Sequence, residues 1–478
     1  MHVAFLNPQG NFDPADSYLA EHPDFGGQLV YVREVAQAMV DLGHRVDIIT
    51  RRVEDADWPE FAGDQDTYPG YEGRLRILRF PCGGPKFLEK ERLWPQLPTF
   101  IENMLAFYGD VLPDFATTHY ADGGYCGVLA QARSGLRFTF TGHSLGAQKL
   151  DKLGTTSANW DEMETRFLFS RRIAAERMSM SGASRIIVST GQEQREQYAH
   201  PLYADAVDAG DDAGFAIVPP GVNGRVFTTR PGNADQQVFA DLDARFGADH
   251  RPMTVVSSRL DEKKNIIGVV SAYAATPRLR DRAGLVLCVR GIDDPDRDIE
   301  RLGPSEQQVL REILAVIDGA DMRQHVRFLN IRSQAELAAT YRYFADRGSV
   351  FALTSFYEPF GLAPIEAAAA GLAPVATKHG GPTEIFADGS GVLVDPFSSD
   401  DIATGLLDAF QRYDELSAKA IRRVETVYTW KRTAENYLSV IDGAMKEGET
   451  KDAGLTDLDA SQRIQSYLRQ RASEPGQG

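Results

Sequence analysis

Ser349–Thr377 reads SVFALTSFYEPFGLAPIEAAAAGLAPVAT, and this stretch decides the fold. A short apolar run ends near Thr354, and a loop holding Glu358 follows. A helix is expected to open near Leu362, with Pro364 suited to its first turn. The alanine-rich run permits close packing, Gly371 is placed to stop the helix, and APVAT starts a second strand. Neither strand alternates apolar with polar residues, the pattern of strands covered on both faces in a parallel sheet flanked by helices.

The same rhythm extends outward. TVVSS (254–258), GLVLCVR (284–290), HVRFL (325–329) and GVLV (391–394) are further strands. Helical periodicity separates them, as at Glu306–Ile317 and Ala335–Phe344. Upstream, MHVAFL, RVDIIT, RLRILRF, LRFTFT, RIIVST and FAIVPP form an earlier series of the same kind. Two such series predict two α/β domains. The joint falls in IVPPGVNGRVFTTRPGN, where prolines and glycines break the pattern, with the boundary near Arg225. The domains are therefore expected at 1–225 and 226–429. From Ser399 to Met445 the pattern is helical throughout, and its end, about 430–445, is a candidate to pack back on the first domain. Residues 446–478 are a polar tail whose end is expected to fray.

Composition narrows the functional classes. Of 478 residues, 43% are hydrophobic and 25% charged, so most of the chain should fold. A formal net charge of −17 opposes binding to a phosphate backbone, which excludes nucleic acid as the expected partner. An acidic chain that binds anions must gather its cations locally, so clustered Lys and Arg carry weight. Cys82, Cys126 and Cys288 form no CxxC and have no nearby His pair, which argues against both a disulfide framework and a zinc site. No apolar run approaches the ~20 residues of a membrane span, and Met1–Leu6 reads as a strand, so a cytoplasmic location is expected.

Four motifs lie where a parallel sheet places ligands. Gly26 and Gly27 precede a helix with apolar Leu29, Val32, Val35, Ala36 and Met39. They mark either a tight turn or a helix N-terminus open to phosphate, and the spacing is not GxGxxG. In FTFTGHSLGAQKLDKLG, His143 and Ser144 follow a strand directly, and Lys149 comes five residues after Ser144. Arg171 and Arg172 are adjacent on a downstream helix and suit a phosphate, whereas Lys86 in CGGPKFLEKE is a weaker candidate. In TVVSSRLDEKKN, Arg259 and Lys264 can offset the charge of a departing diphosphate. Glu358 and Glu366 are placed to accept hydrogen bonds from hydroxyls, while the helix start at Gly361 and Leu362 offers N–H groups to phosphate. One carboxylate in a loop and one within a helix do not form the facing pair of a glycosidase. The acidic runs Asp208–Asp212 and Asp293–Asp298 read as solvated loops, not metal sites.

GGQ, THYADGG, TGHSLGAQK, VPPGVN, SSRLDEKKN and FYEPFGLAPIEAAAAG, in this order, resemble the retaining glycosyltransferases of the GT-B fold, specifically the sucrose-phosphate synthases. The likeness runs from Met1 to about Met445. It implies two Rossmann-like doubly wound domains facing across a cleft, an acceptor-binding one first and a nucleotide-sugar-binding one second. The implied reaction is retaining transfer of glucose from UDP-glucose or another nucleotide glucose to fructose 6-phosphate, with no metal and no cofactor. By the same resemblance Gly26, Gly27 and Gln28 meet the acceptor and the donor phosphates, and His143 touches the transferred hexose. Lys86, Tyr120, Ser144, Lys149, Arg171 and Arg172 surround fructose 6-phosphate. Arg259 and Lys264 hold the diphosphate, Glu358 orients the hexose, Glu366 binds the ribose, and the backbone of Phe360, Gly361, Leu362 and Ala363 completes the donor site. A separate sucrose-phosphate phosphatase is the implied pathway partner. Alternatives are a mannosylfructose-phosphate synthase using GDP-mannose, a sucrose synthase, and, from another class, a nucleotide-sugar 2-epimerase or a sensor without catalysis.

Overall fold

The computed structural model describes residues 1–17, 27–247, 249–448, 451, 454 and 456–473. The chain divides into two compact units, Met1–Pro220 with Thr433–Gly478, and Gly221–Arg432. The division falls between Pro220 and Gly221, whereas the sequence pattern put it near Arg225. Packing demands the glycine: a Cβ on Gly221 would lie 2.2 Å from the Trp430 nitrogen.

The first unit holds strands β1 (His2–Leu6), β2 (Arg45–Arg51), β3 (Gln65–Asp66), β4 (Leu75–Phe80), β5 (Phe115–His119), β6 (Phe138–Thr141), β7 (Arg185–Val188) and β8 (Phe215–Ile217). They form one sheet in the order β3-β4-β2-β1-β5-β6-β7-β8. All neighbours run parallel except β3 and β4. The order reverses direction at β1 and β5, and the carboxyl ends of those strands are where a doubly wound sheet leaves a crevice for a ligand.

Strand β5 escaped the sequence reading because Thr117, Thr118 and His119 are polar, yet the whole strand is buried. Thr118 Oγ1 donates to the Thr139 carbonyl at 2.9 Å, and Thr117 Oγ1 to the Tyr437 hydroxyl at 3.2 Å. Internal partners make these polar positions affordable in a core. Tyr437 lies on the helix Trp430–Glu447, which also takes a hydrogen bond from Arg137 at the Ala444 carbonyl, 2.8 Å.

Within the expected polar tail Ser461–Ser473 form a helix, while the last residues, 474–478, expected to fray, lie outside the described residues. Ile464 and Leu468, four residues apart, share one helix face and are buried in the core of the first unit. Tyr467 donates to Asp151 Oδ2 at 2.9 Å, and Arg471 Nη1 lies 2.6 Å from Asp151 Oδ1. A narrow apolar stripe docks this helix although its mean composition is polar.

The second unit holds β9 (Met253–Ser257), β10 (Gly284–Cys288), β11 (Val326–Leu329), β12 (Val350–Leu353), β13 (Ala373–Thr377) and β14 (Val392–Val394). Their order is β11-β10-β9-β12-β13-β14, all parallel. The direction reverses at β9 and β12. Both predicted helices are present, as Pro304–Gly319 and Gln334–Ala345. The long helical stretch is three helices, Ser399–Gln411, Tyr413–Val427 and Trp430–Glu447. Two α/β units with parallel sheets are thus what the apolar runs predicted.

Candidate functional site

In the first unit the chemistry gathers at the carboxyl ends of β1, β5 and β6. Gln28, on the helix Gly27–Asp41, donates its side-chain amide to Asn7 Oδ1 just past β1. Gly27 is exposed, and a Cβ there would meet nothing within 4 Å. Protein packing does not require this glycine, so what its missing side chain leaves open is the approach to the backbone. Gly26 lies outside the described residues.

Tyr120 and His143 follow β5 and β6 and both adopt left-handed backbone angles, φ 61° and 54°. Each such non-glycine residue stores on the order of 1–3 kcal/mol of strain, which concentrates at ligand sites. The rings of Tyr31, Tyr120 and His119 surround His143, at centroid distances of 5.0, 5.4 and 5.1 Å. His143 Nε2 lies 2.9 Å from His119 Nδ1. Burial pushes His143 down to about 4, so its imidazole is neutral at pH 7.

The cations separate into two kinds. Arg172 is committed to the protein: its Nε donates to buried Glu176 at 3.0 Å and its Nη2 to the Ser144 carbonyl at 2.5 Å. Glu176 also accepts from Tyr203 and from the Gly146 amide, 2.9 Å away, so this network holds the turn that carries His143 and Ser144. Arg171 forms no ion pair among the described residues, and Ser144 is exposed. Lys149, on the helix Gly146–Lys152, sits 4.4 Å above the Phe167 ring. Lys86 is exposed, and its carbonyl, with those of Cys82 and Gly84, is clamped by Arg51. Lys90, at the start of the short helix Lys90–Leu93, lines a small cavity with Pro8, Gln9, Gly10 and Asn11. Sequence alone offered two lysines in KFLEKE and nothing to separate them. It also passed over Asp122, a buried carboxyl pushed up to about 6 by desolvation, with Oδ2 unpartnered.

In the second unit the polar groups gather past β9 and β12. Lys264 Nζ donates to Glu358 Oε2 at 2.7 Å, and Ser355 Oγ to the same oxygen at 3.3 Å. The Glu358 loop is fixed through its backbone, with its amide on the His379 carbonyl at 3.1 Å and its carbonyl accepting from Gly381 at 2.9 Å. Two residues read as serving different parts of a ligand are therefore bonded to each other here. Arg259 is exposed, with no ion pair among the described residues. Gly361, at φ 109°, precedes the helix Leu362–Ala369, whose start takes no side-chain capping hydrogen bond among the described residues. Phe360 packs edge-on against Tyr428, while Leu362 is exposed. Inside the helix, burial pushes Glu366 up to about 7, and no donor among the described residues reaches it. An unpaired half-buried carboxylate, two cations and an open helix start suit hydroxyls and phosphates together.

Comparison with known proteins identifies the family. The profile of the family "Glycosyl transferases group 1" matches residues 241–426, and that of "Glycosyl transferase 4-like domain" matches residues 26–209. A probable sucrose-phosphate synthase from Thermosipho melanesiensis is 43% identical over 92% of this chain and 96% of its own length. The sucrose-phosphate synthase of Zea mays is 31% identical over 93% of this chain, which spans only 47% of that longer protein. Among solved structures, a sucrose-phosphate synthase from Thermosynechococcus elongatus superposes with a TM-score of 0.62 at 23% identity, covering 94% of this chain and all of that one. HepE from Anabaena, in complex with UDP and glucose, superposes with a TM-score of 0.59 at 16% identity, covering 93% of this chain and all of that one. At such identities the superpositions establish the fold, GT-B.

Proposed function

We propose, for a chain that belongs to the sucrose-phosphate synthases among the group 1 glycosyltransferases, that it moves glucose with retention from UDP-glucose to fructose 6-phosphate. The observation that carries this reading is Glu366, a carboxyl raised to about 7 with no donor among the described residues, set in a helix whose start takes no side-chain capping hydrogen bond. Ribose hydroxyls would supply the missing donors, and the helix start with Arg259 and Lys264 would meet the diphosphate. The second unit is read as the nucleotide-sugar unit. HepE, solved with UDP and glucose, shares the fold.

The first unit is read as the acceptor unit. Lys149 and Arg171 are assigned to the phosphate of fructose 6-phosphate, with Arg172 holding the Ser144 turn. In the transfer, positive charge from Arg259, Lys264 and the helix start stabilises the departing diphosphate. An oxygen of that diphosphate takes the proton of the attacking acceptor hydroxyl on the same face, which retains configuration. Lys264 is paired with Glu358 before the donor binds; a diphosphate then competes for the ammonium and frees Glu358 for hexose hydroxyls. The cytoplasm as its location and a separate phosphatase as the next enzyme belong to the same reading. Among the described residues no helix is long and apolar enough to cross a membrane.

The test is nucleotide release from UDP-, ADP- and GDP-glucose and GDP-mannose, each with fructose 6-phosphate, with fructose, and with no acceptor. Release from UDP-glucose that requires fructose 6-phosphate is expected. Conversion of the donor without any acceptor would indicate an epimerase, equal use of fructose a sucrose synthase, and a GDP-mannose preference a mannosylfructose-phosphate synthase.

A further inference from the structure

His119 ends strand β5 and is fully buried. Its ring stacks on Phe5, centroids 5.6 Å apart at 7°, and Tyr31 meets it edge-on at 5.9 Å. Its Nδ1 faces His143 Nε2 at 2.9 Å, whereas its Nε2 is buried with no hydrogen-bond partner. A single proton lies between these two nitrogens, and the pair admits two arrangements. If His143 donates, the neutral His119 carries its own proton on Nε2, leaving an orphaned buried N–H, a rare and costly state. If His119 donates from Nδ1, its Nε2 keeps only an unused lone pair. The second arrangement makes His143 Nε2 an acceptor, so the neutral His143 ring carries its proton on Nδ1. No described residue is bonded to His143 Nδ1.

We infer that His119 is a positioning residue for the transfer: its Nδ1–H fixes the tautomer of His143, which then presents Nδ1–H as an uncharged donor to an oxygen of the bound sugar. This rests on the reading of His143 as the contact to the transferred hexose. An uncharged donor suits that place, because a sugar losing its leaving group gains positive charge at the anomeric carbon, and a neighbouring imidazolium would oppose it. The left-handed backbone at His143 and the stacking of His119 on Phe5 hold the two rings in this register.

Two measurements on the full chain test the inference. In protein labelled with 15N at histidine, long-range proton–nitrogen spectra at pH 7 should show His143 protonated at Nδ1 and bare at Nε2. Assignment uses His119→Asn and His143→Ala. In kinetics, His119→Leu should lower kcat on the order of ten- to a hundredfold, with the acceptor KM within about threefold, the loss expected of one misdirected donor. His119→Asn, whose side-chain amide can take the place of Nδ1–H, should recover most of that loss. A His143 ring protonated at Nε2, or Leu and Asn variants of equal activity, would overturn the inference. If His143→Ala leaves kcat unchanged while the tautomer is as expected, the sugar contact itself falls, and the positioning role with it. A wrong tautomer together with a large His143→Ala loss removes His119 alone.

Discussion

Glu366→Gln is the substitution whose consequences follow most directly from the structure. Burial raises this carboxyl from 4.5 to about 7, with no donor among the described residues to offset it. A raised folded value means that the native state holds the proton more tightly than the unfolded chain, so the group detracts from stability once it must ionise. The cost begins near pH 4.5, grows through pH 7, and is fully developed above it. A shift of this size corresponds to ~3 kcal/mol at high pH, of which ~2 kcal/mol develops between pH 5 and pH 8. Glutamine occupies the same space without a charge. Relative to the parent, Glu366→Gln should therefore unfold at a higher temperature at pH 8, and the advantage should shrink to little at pH 5. Ligand binding should move the other way. Ribose hydroxyls donating to the carboxylate favour its ionised form, so UDP affinity in the parent should rise from pH 6 to pH 8, with proton release visible by calorimetry in buffers of different ionisation heat. The variant should bind UDP more weakly and lose that part of the pH dependence. Melting curves of the two proteins that stay parallel across pH 5–8, or equal UDP affinity at pH 8, would refute the assignment.

Arg171→Ala should cut the efficiency with fructose 6-phosphate roughly ten- to a hundredfold while leaving the melting temperature unchanged, the effect of losing one charge-assisted contact. Arg172→Ala should instead destabilise by about 3–5 kcal/mol, because it leaves buried Glu176 without its cation; comparison of melting and kinetics separates the pair. Turnover should survive excess EDTA, since Arg259, Lys264 and a helix start carry the diphosphate charge, and loss restored by magnesium would discard that mechanism. Ile464→Ala should cost about 2–4 kcal/mol in chemical denaturation, in proportion to the cavity left in the first unit; a change under about 0.5 kcal/mol would mean the terminal helix contributes little.

The sequence by itself determined the architecture, because that follows from local order along the chain. Unalternating apolar runs separated by helical periodicity commit Val350–Leu353 and Ala373–Thr377 to parallel strands whatever lies elsewhere. Order also marked His143, Arg259, Glu358 and Glu366, since each follows a strand end or a helix start that glycine or proline punctuates. What order does not fix is which side chains meet. Strand β5 stayed hidden because its polar residues are satisfied by Thr139 and Tyr437, the latter some three hundred positions away along the chain. The same limit hid His119, whose meaning lies in a 2.9 Å contact with the neighbouring strand's end. Arg171 and Arg172 are indistinguishable as neighbours in sequence, and only the helix rotation aims one at Glu176 and leaves the other without an ion pair among the described residues. The terminal helix shows the limit of composition most plainly. Ser461–Ser473 is polar on average, but Ile464 and Leu468 share a face, and the presence of a core for that face to enter is a property of the tertiary structure.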